Sequence, residues 1–250
     1  MTKAPIKRQS RTTGTAKPIR TWSVLSRWIE KHNTVNWLFR GLTPTKHTLV
    51  SKIGRPETHE PSRGYTKEAE IWLYEEFKRL ALAYIQMQPT TEWEWLALAQ
   101  HHGLPTRLLD WTHSPLVAAY FAVEKEGKRG DAAIYACEMV GRIQPSYAKF
   151  GPFTVSGDYR FDPPSVSPRI IAQAATFTIH RDPTQPFSPT GLDKIVIDKH
   201  WCGGLKGILN NLGINRAALF PDMDGVATDL LWQGRIRKHI ELILPPGMTP

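Results

Sequence analysis

At 250 residues, with 41% hydrophobic side chains and nine Trp, the chain is long enough to bury one sizeable core, and a single domain is expected after residue 20. The formal charge of +9 suggests a polyanion partner, yet Lys3, Lys7, Arg8, Arg11, Lys17 and Arg20 stand in residues 1–20 without an acid, leaving 26 basic against 23 acidic residues elsewhere. The basic excess therefore belongs to a tail too polar to fold, predicted to be disordered and the place where a nucleic acid would be held.

No apolar run reaches the roughly 18 residues of a membrane helix, and the N-terminus lacks the apolar stretch of a signal peptide, so a soluble cytoplasmic protein without membrane contact is expected. Cys137 and Cys202 stand alone in apolar surroundings and are read as free buried thiols.

In chain order, Thr21 to His32 predicts an amphipathic helix, with Trp22, Leu25, Trp28 and Ile29 on one face. A short strand over 35–39 follows and delivers Arg40 and Gly41. Pro56 and Pro61 mark a loop. Ile71, Tyr74, Phe77, Leu80, Ala81 and Tyr84 then recur at helical spacing, predicting a long helix over 65–87 that Pro89 ends. The next helix carries Trp95, Leu96, Leu98 and Ala99 and breaks at Gly103 and Pro105. Leu108 and Leu109 lead to Asp110, and a second apolar helix opens at Ser114-Pro115, with Ser as N-cap and Pro at the first helical position. Strands are expected over 132–137, 170–179, 194–199 and 240–244, and helices near 205–212 and 224–238. Residues 142–167, with Gly151, Gly157 and Pro163-Pro164, read as a long loop or flap. Helices come first and strands later, which predicts an α+β fold with a mixed or antiparallel sheet and flanking helices.

Three polar constellations stand on these apolar frames. In the first, Arg40 closes a strand before Gly41; its planar guanidinium suits a phosphate, or equally a salt bridge to Asp110. The second gathers Gln100, His101 and His102 at a helix end, Thr106 and Arg107 in the turn, and Asp110, Trp111 and Thr112 beyond. Consecutive histidines diverge on a helix, so at most one faces a site, the other reading being capping of the helix end. Trp111, Tyr120 and Phe121 can stack on a planar base or simply pack in the core. The third places Arg169 and Gln173 in an apolar stretch, where an amide must find hydrogen-bond partners, and Asp222 and Asp224 at a helix start, where capping explains them. There is no HExxH, and Asp222 and Asp224 lack further carboxylates, so no metal site is expected. Since each sits on an element whose other face joins the core, Arg40, Arg107, Asp110 and Gln173 are expected to converge in one cleft.

The segments Phe39–Gly41 (FRG), Ala99–Ala122 (AQHHGLPTRLLDWTHSPLVAAYFA), Arg169–Ile179 and Leu219–Gly225 together resemble the FRG domain family, over roughly residues 22–238. That family resembles the ADP-ribosyltransferase fold, and the likeness implies an NAD-consuming enzyme that transfers ADP-ribose to a macromolecule or hydrolyses NAD. It further implies a toxin or phage-defence effector, since bacterial and phage genomes carry the domain. On that likeness Arg40, Asp110 and Gln173 are the catalytic candidates. Arg40, Gly41, His101, Thr106, Arg107, Thr112, Tyr120 and Phe121 would bind NAD, which enters as substrate. The usual catalytic Glu of a late strand is replaced by Gln173, leaving Asp110, Asp222 or Asp224 to supply the charge, Gln173 to support a slower reaction, or the protein to act as a non-catalytic nucleotide-sensing or nucleic-acid-binding module.

Overall fold

A computed structural model describes residues 17–237, except 44–47, 61–62, 86–87, 127, 129, 140, 145–148 and 164–166. The strand expected over 240–244 and most of the basic tail lie outside the described residues. The helices are α1 (Trp22–Glu30), α2 (Lys67–Ala81), α3 (Glu92–His101), α4 (Pro115–Val123), α5 (Pro168–Ala172), α6 (Cys202–Asn211), α7 (Arg216–Leu219) and α8 (Met223–Arg237). The strands are β1 (Trp37–Leu42), β2 (Leu109–Thr112), β3 (Ala132–Glu138), β4 (Arg142–Ile143), β5 (Tyr159–Phe161), β6 (Ala175–Ile179) and β7 (Asp193–Ile197). Short 3-10 turns occupy Lys52–Gly54, Pro56–Thr58 and Pro152–Thr154.

The seven strands form one mixed sheet in the order β4-β5-β6-β2-β1-β3-β7, antiparallel throughout except where β4 meets β5. This is the α+β class that the run of helices before strands predicted. Alternation along the strands separates two faces. Phe39, Ile134, Ala136 and Ile197 pack beneath α1, α4 and α6, while Phe161, Phe177 and Ile179 pack beneath α2 and α3. The opposite face buries Leu38, Leu42, Leu109, Trp111 and Cys137 under Leu49 and Phe187 from the loops. Both helix groups thus cover the same face and part over β2, and the gap between them, in which the Asp110 side chain is 57% exposed, forms an open cleft.

Local sequence explains most boundaries. Thr66, Thr91, Ser114 and Ser167 each accept a hydrogen bond from the backbone N–H three residues on, fixing the starts of α2, α3, α4 and α5. In α4, Ala118, Ala119 and Ala122 are fully buried, so the helix lies directly on β1. Gly41 is the reason it can: a Cβ there would come 1.9 Å from the Ala118 carbonyl and 2.5 Å from the Ala122 nitrogen. The glycine serves helix packing on the strand.

Several expectations are corrected. β1 runs two residues later than predicted, placing Arg40 inside the strand, and Val35 is 87% exposed. The long helix stops at Ala81, where Leu82 and Tyr84 lose any apolar surface to pack on. Residues 170–172, expected in a strand, belong to α5, because Ser167 caps and Pro168 starts a helix while Ala174 turns the chain at φ 43° before β6. The expected loop over 142–167 contains β4, a 3-10 turn and β5. At the tail, Ile19 hydrogen-bonds along β7 and Arg20 pairs with Asp198 at 2.8 Å, so those two residues belong to the folded body. Among the described residues no helix is long and apolar enough to cross a membrane.

Candidate functional site

Over β2 the cleft has Asp110 on its floor, since Asp110 faces the same side as its β6 partner Phe177 and as Thr112, the partner of Phe39. β1 and β2 share only the Phe39–Thr112 pair, against six residue pairs between β1 and β3. Where the two strands part, Arg40 crosses from β1: its Nη1 donates to the Asp110 main-chain carbonyl and lies 3.4 Å from Asp110 Oδ2. The guanidinium is 12% exposed and its Nε has no partner among the described residues. Burial lowers the Arg40 pKa, Asp110 partly restores it, and the charge of Arg55 lowers it further.

Asp110 is held from a second side. Gln100 Nε2 donates to Asp110 Oδ1 at 2.8 Å, and the Gln100 carbonyl oxygen accepts from the Thr106 hydroxyl at 2.6 Å. Thr106, 1% exposed, also accepts from the Leu108 N–H, so the turn between α3 and β2 fixes the amide that fixes the acid. With both carboxylate oxygens engaged, the side chain of Asp110 is nevertheless 57% exposed. The salt-bridge reading of Arg40 and Asp110 is the one the chain adopts. Phosphate binding by Arg40 would require that contact to be given up.

Arg107 does not enter the cleft. Its Nε and Nη2 reach Glu70 of α2 at 2.9 and 2.6 Å, its Nη2 also accompanies the Tyr65 hydroxyl at 3.2 Å, and its guanidinium stacks 5.2 Å from the Phe153 ring. Both members of the pair are at most 3% exposed. Burial alone would lower the Arg107 pKa, but the Glu70 hydrogen bonds and charge outweigh it and raise it. Gln173 is also spoken for: it caps α5, its amide donates to the Leu219 carbonyl at 2.9 Å, and its own carbonyl accepts from the Thr112 hydroxyl at 2.7 Å. Of the four residues expected to converge, Arg40 and Asp110 do so, while Arg107 and Gln173 brace the elements around them. The missed partner Glu70 stood in plain sight on a helix, but an acid there reads as a solvated face until a cation is buried against it.

The remaining candidates divide similarly. His101 ends α3, half-buried, with its pKa lowered by burial and then by the charges of His102 and Arg169. Thr112 is buried and serves α5 and the start of α4. Tyr120 is 2% exposed within the core, where burial and then Glu124 raise its pKa. Phe121 is partly buried and meets Phe220 edge-on at 6.1 Å, at the cleft wall. That wall also holds Arg169 and Arg216, over the Phe220 ring at 4.3 and 3.6 Å. Among the described residues no group of three or more His, Cys, Asp or Glu side chains is placed to hold a metal ion. Two cavities of about 450 and 650 Å³ lie elsewhere, the first around Arg55, His59 and Tyr65 and the second around Tyr65, Lys67 and Arg181.

The site thus defines a class: an α+β protein whose central strands present an arginine-held, solvent-facing aspartate between two helix groups. Residues 35–131 match the family model of the FRG domain, from the approach to β1 through α4, so this stretch is an FRG domain. No curated protein and no solved structure matches the chain.

Proposed function

We propose that this protein is an NAD-consuming enzyme of ADP-ribosyltransferase-like fold, transferring ADP-ribose to a macromolecule or hydrolysing NAD. The observation that carries the reading is Asp110: a carboxylate oriented by Arg40 and Gln100 and still 57% open to the cleft. Cleaving the bond between nicotinamide and ribose sends its electron pair to the ring nitrogen, releasing neutral nicotinamide and leaving positive charge on the ribose. A fixed carboxylate beside that ribose stabilises the charge as it develops, because its orientation costs nothing at the moment of reaction. Water or an acceptor nucleophile then attacks the same carbon and loses a proton. On this reading half-buried His101, whose pKa burial lowers, is the neutral base that takes it. On this reading Arg40 is a positioning residue, and a toxin or phage-defence role would follow from depleting NAD or modifying a host macromolecule.

One observation favours a second reading. Gln173, the residue that the resemblance sets in place of the late-strand acid, caps α5 and spends its amide on the Leu219 carbonyl, so a non-catalytic nucleotide-sensing module would use the same cleft. Incubating the purified protein with labelled NAD and candidate acceptors separates the two. Release of nicotinamide that Asp110→Asn abolishes supports the enzyme, whereas binding without release under varied conditions supports the sensor.

A further inference from the structure

The cleft wall holds two guanidiniums whose hydrogen-bonding capacity its acids do not fill. Arg216 of α7 pairs through Nη1 with Glu124, and its Nε, buried, finds no acceptor among the described residues. The Arg169 side chain of α5 has no hydrogen bond and no carboxylate within salt-bridge distance among the described residues, although the residue is partly buried. Both guanidiniums lie over the Phe220 ring, which is 7% exposed, at 3.6 and 4.3 Å. Burial and then the charge of Arg216 lower the Arg169 pKa, while Asp110, Asp222 and Glu124 act in the opposite sense. Stacking on an aromatic ring offsets part of this cost but does not supply the planar acceptors that a guanidinium fork matches. Asp110 is already engaged by Arg40, and Asp222 accepts from the Gly225 N–H at 2.6 Å as the cap of α8.

Charge across the cleft is thus laid out in two poles. A solvent-facing carboxylate lies on the floor, and on an aromatic wall stand two guanidiniums of which Arg216 is paired with Glu124 and Arg169 has no paired acid among the described residues. We propose that Arg169 and Arg216 together bind the diphosphate of a dinucleotide, with the cationic ring end of the same molecule directed to Asp110. Arg40 is thereby left to orient Asp110 and not to touch phosphate. This rests on the dinucleotide reading above, and goes beyond it in assigning the diphosphate handle to two residues outside the FRG motif itself. A ligand with positive charge at one end and a diphosphate in its middle matches both poles. A bidentate fork from Arg169 would use the acceptors its surroundings withhold.

Calorimetric titration of the full chain with inorganic diphosphate, ADP-ribose and nicotinamide riboside tests this, using Arg169→Ala and Arg169→Lys, with a thermal melt of each variant as a check on folding. The expected result is that ADP-ribose and diphosphate compete for the parent protein. Arg169→Ala then weakens both by about 10–100-fold, the range for a hydrogen bond to a charged group. Arg169→Lys, which keeps the charge without the fork, falls between them, and nicotinamide riboside, which carries no phosphate, binds parent and variants alike. Unchanged ADP-ribose binding by Arg169→Ala overturns the assignment, as does an equal loss of nicotinamide riboside, which would mark a merely structural role. A decathymidylate that displaces diphosphate more tightly than ADP-ribose does would give the pair to a nucleic-acid backbone and overturn it too. The two readings fail separately. Diphosphate binding that depends on Arg169 without NAD cleavage removes the enzyme and keeps the anion site, whereas NAD cleavage with unchanged KM in Arg169→Ala does the reverse.

Discussion

Arg40 with Asp110 and Arg107 with Glu70 are the same chemical pair in two settings. Arg107 and Glu70 meet through two short hydrogen bonds with both side chains at most 3% exposed, locking α2 onto the turn before β2. Arg40 is nearly as enclosed, but its acid opens to the cleft at 57% exposure. A closed pair has all its electrostatics committed to the fold. An open one leaves a fixed charge for a ligand, and that difference marks which arginine of the central motif belongs to a site.

Breaking the closed pair should have the largest effect. Glu70→Gln or Arg107→Ala leaves the partner buried without its counter-ion, and a loss of about 3–5 kcal/mol in urea unfolding is expected. A loss below about 1 kcal/mol would show that the pair is not the lock described.

The open pair should behave in the opposite way. Asp110→Asn keeps its shape, the stronger side-chain bond from Gln100 and the Arg40 bond to the main-chain carbonyl, giving up only the 3.4 Å contact with Arg40, so stability should stay within about 1 kcal/mol of the parent. Nicotinamide release should fall about 100-fold or more, as for loss of a preorganised charge. Melting temperature and turnover measured on one preparation decide it: a stable, fully active Asp110→Asn protein refutes a chemical role for the open acid.

Gly41→Ala tests whether the wall above that acid depends on backbone contact. The added Cβ meets main-chain atoms of α4 that cannot rotate away, so a cost of about 1–3 kcal/mol is expected by thermal unfolding, with the cleft widened. An unchanged midpoint would mean that α4 does not rest on the strand.

Acid titration sharpens the comparison with a third carboxylate. Burial pushes Asp162 up, but hydrogen bonds with His113 and Thr176 and the charges of Arg160 and Arg142 outweigh it and hold its pKa at about 2, against an ordinary 3.8. A lowered folded-state pKa stabilises above the ordinary value and is lost as pH falls, so Asp162 contributes at most about 2 kcal/mol, present above pH 4 and disappearing between pH 4 and 2. Asp162→Asn should flatten that limb of the stability profile. A limb of the same steepness would place the acid sensitivity elsewhere.

How much of this was legible depended on how local the cause was. The FRG segment, the Ser114-Pro115 helix start and the paired leucines before Asp110 were readable because capping, fixed proline φ and apolar runs act within a few residues. The same local signals misled at residues 170–172. The apolar run Ile170–Ile179 looks like one strand, yet Ser167 and Pro168 start a helix and the turn at Ala174 separates it from β6. Gln173 consequently left the strand on which a late acid was sought. The Glu70 partner of Arg107, 37 positions away, and the approach of Arg169 to Arg216 carried no local signal at all.

By itself, the sequence determined the Ser114-Pro115 helix start, the apolar stripes, the α+β class and the concentration of polar groups around Asp110, since each follows from side-chain periodicity and backbone chemistry within one element. Only the tertiary structure decided which charges were spent and which were left. Arg40, Arg107 and Arg169 have the same side chain and the same intrinsic affinity for carboxylates. Their roles differ because α2 brings Glu70 into the core against one, the parting of β1 and β2 ties another to an open aspartate, and the packing of α5 beside α7 sets the third against a second arginine.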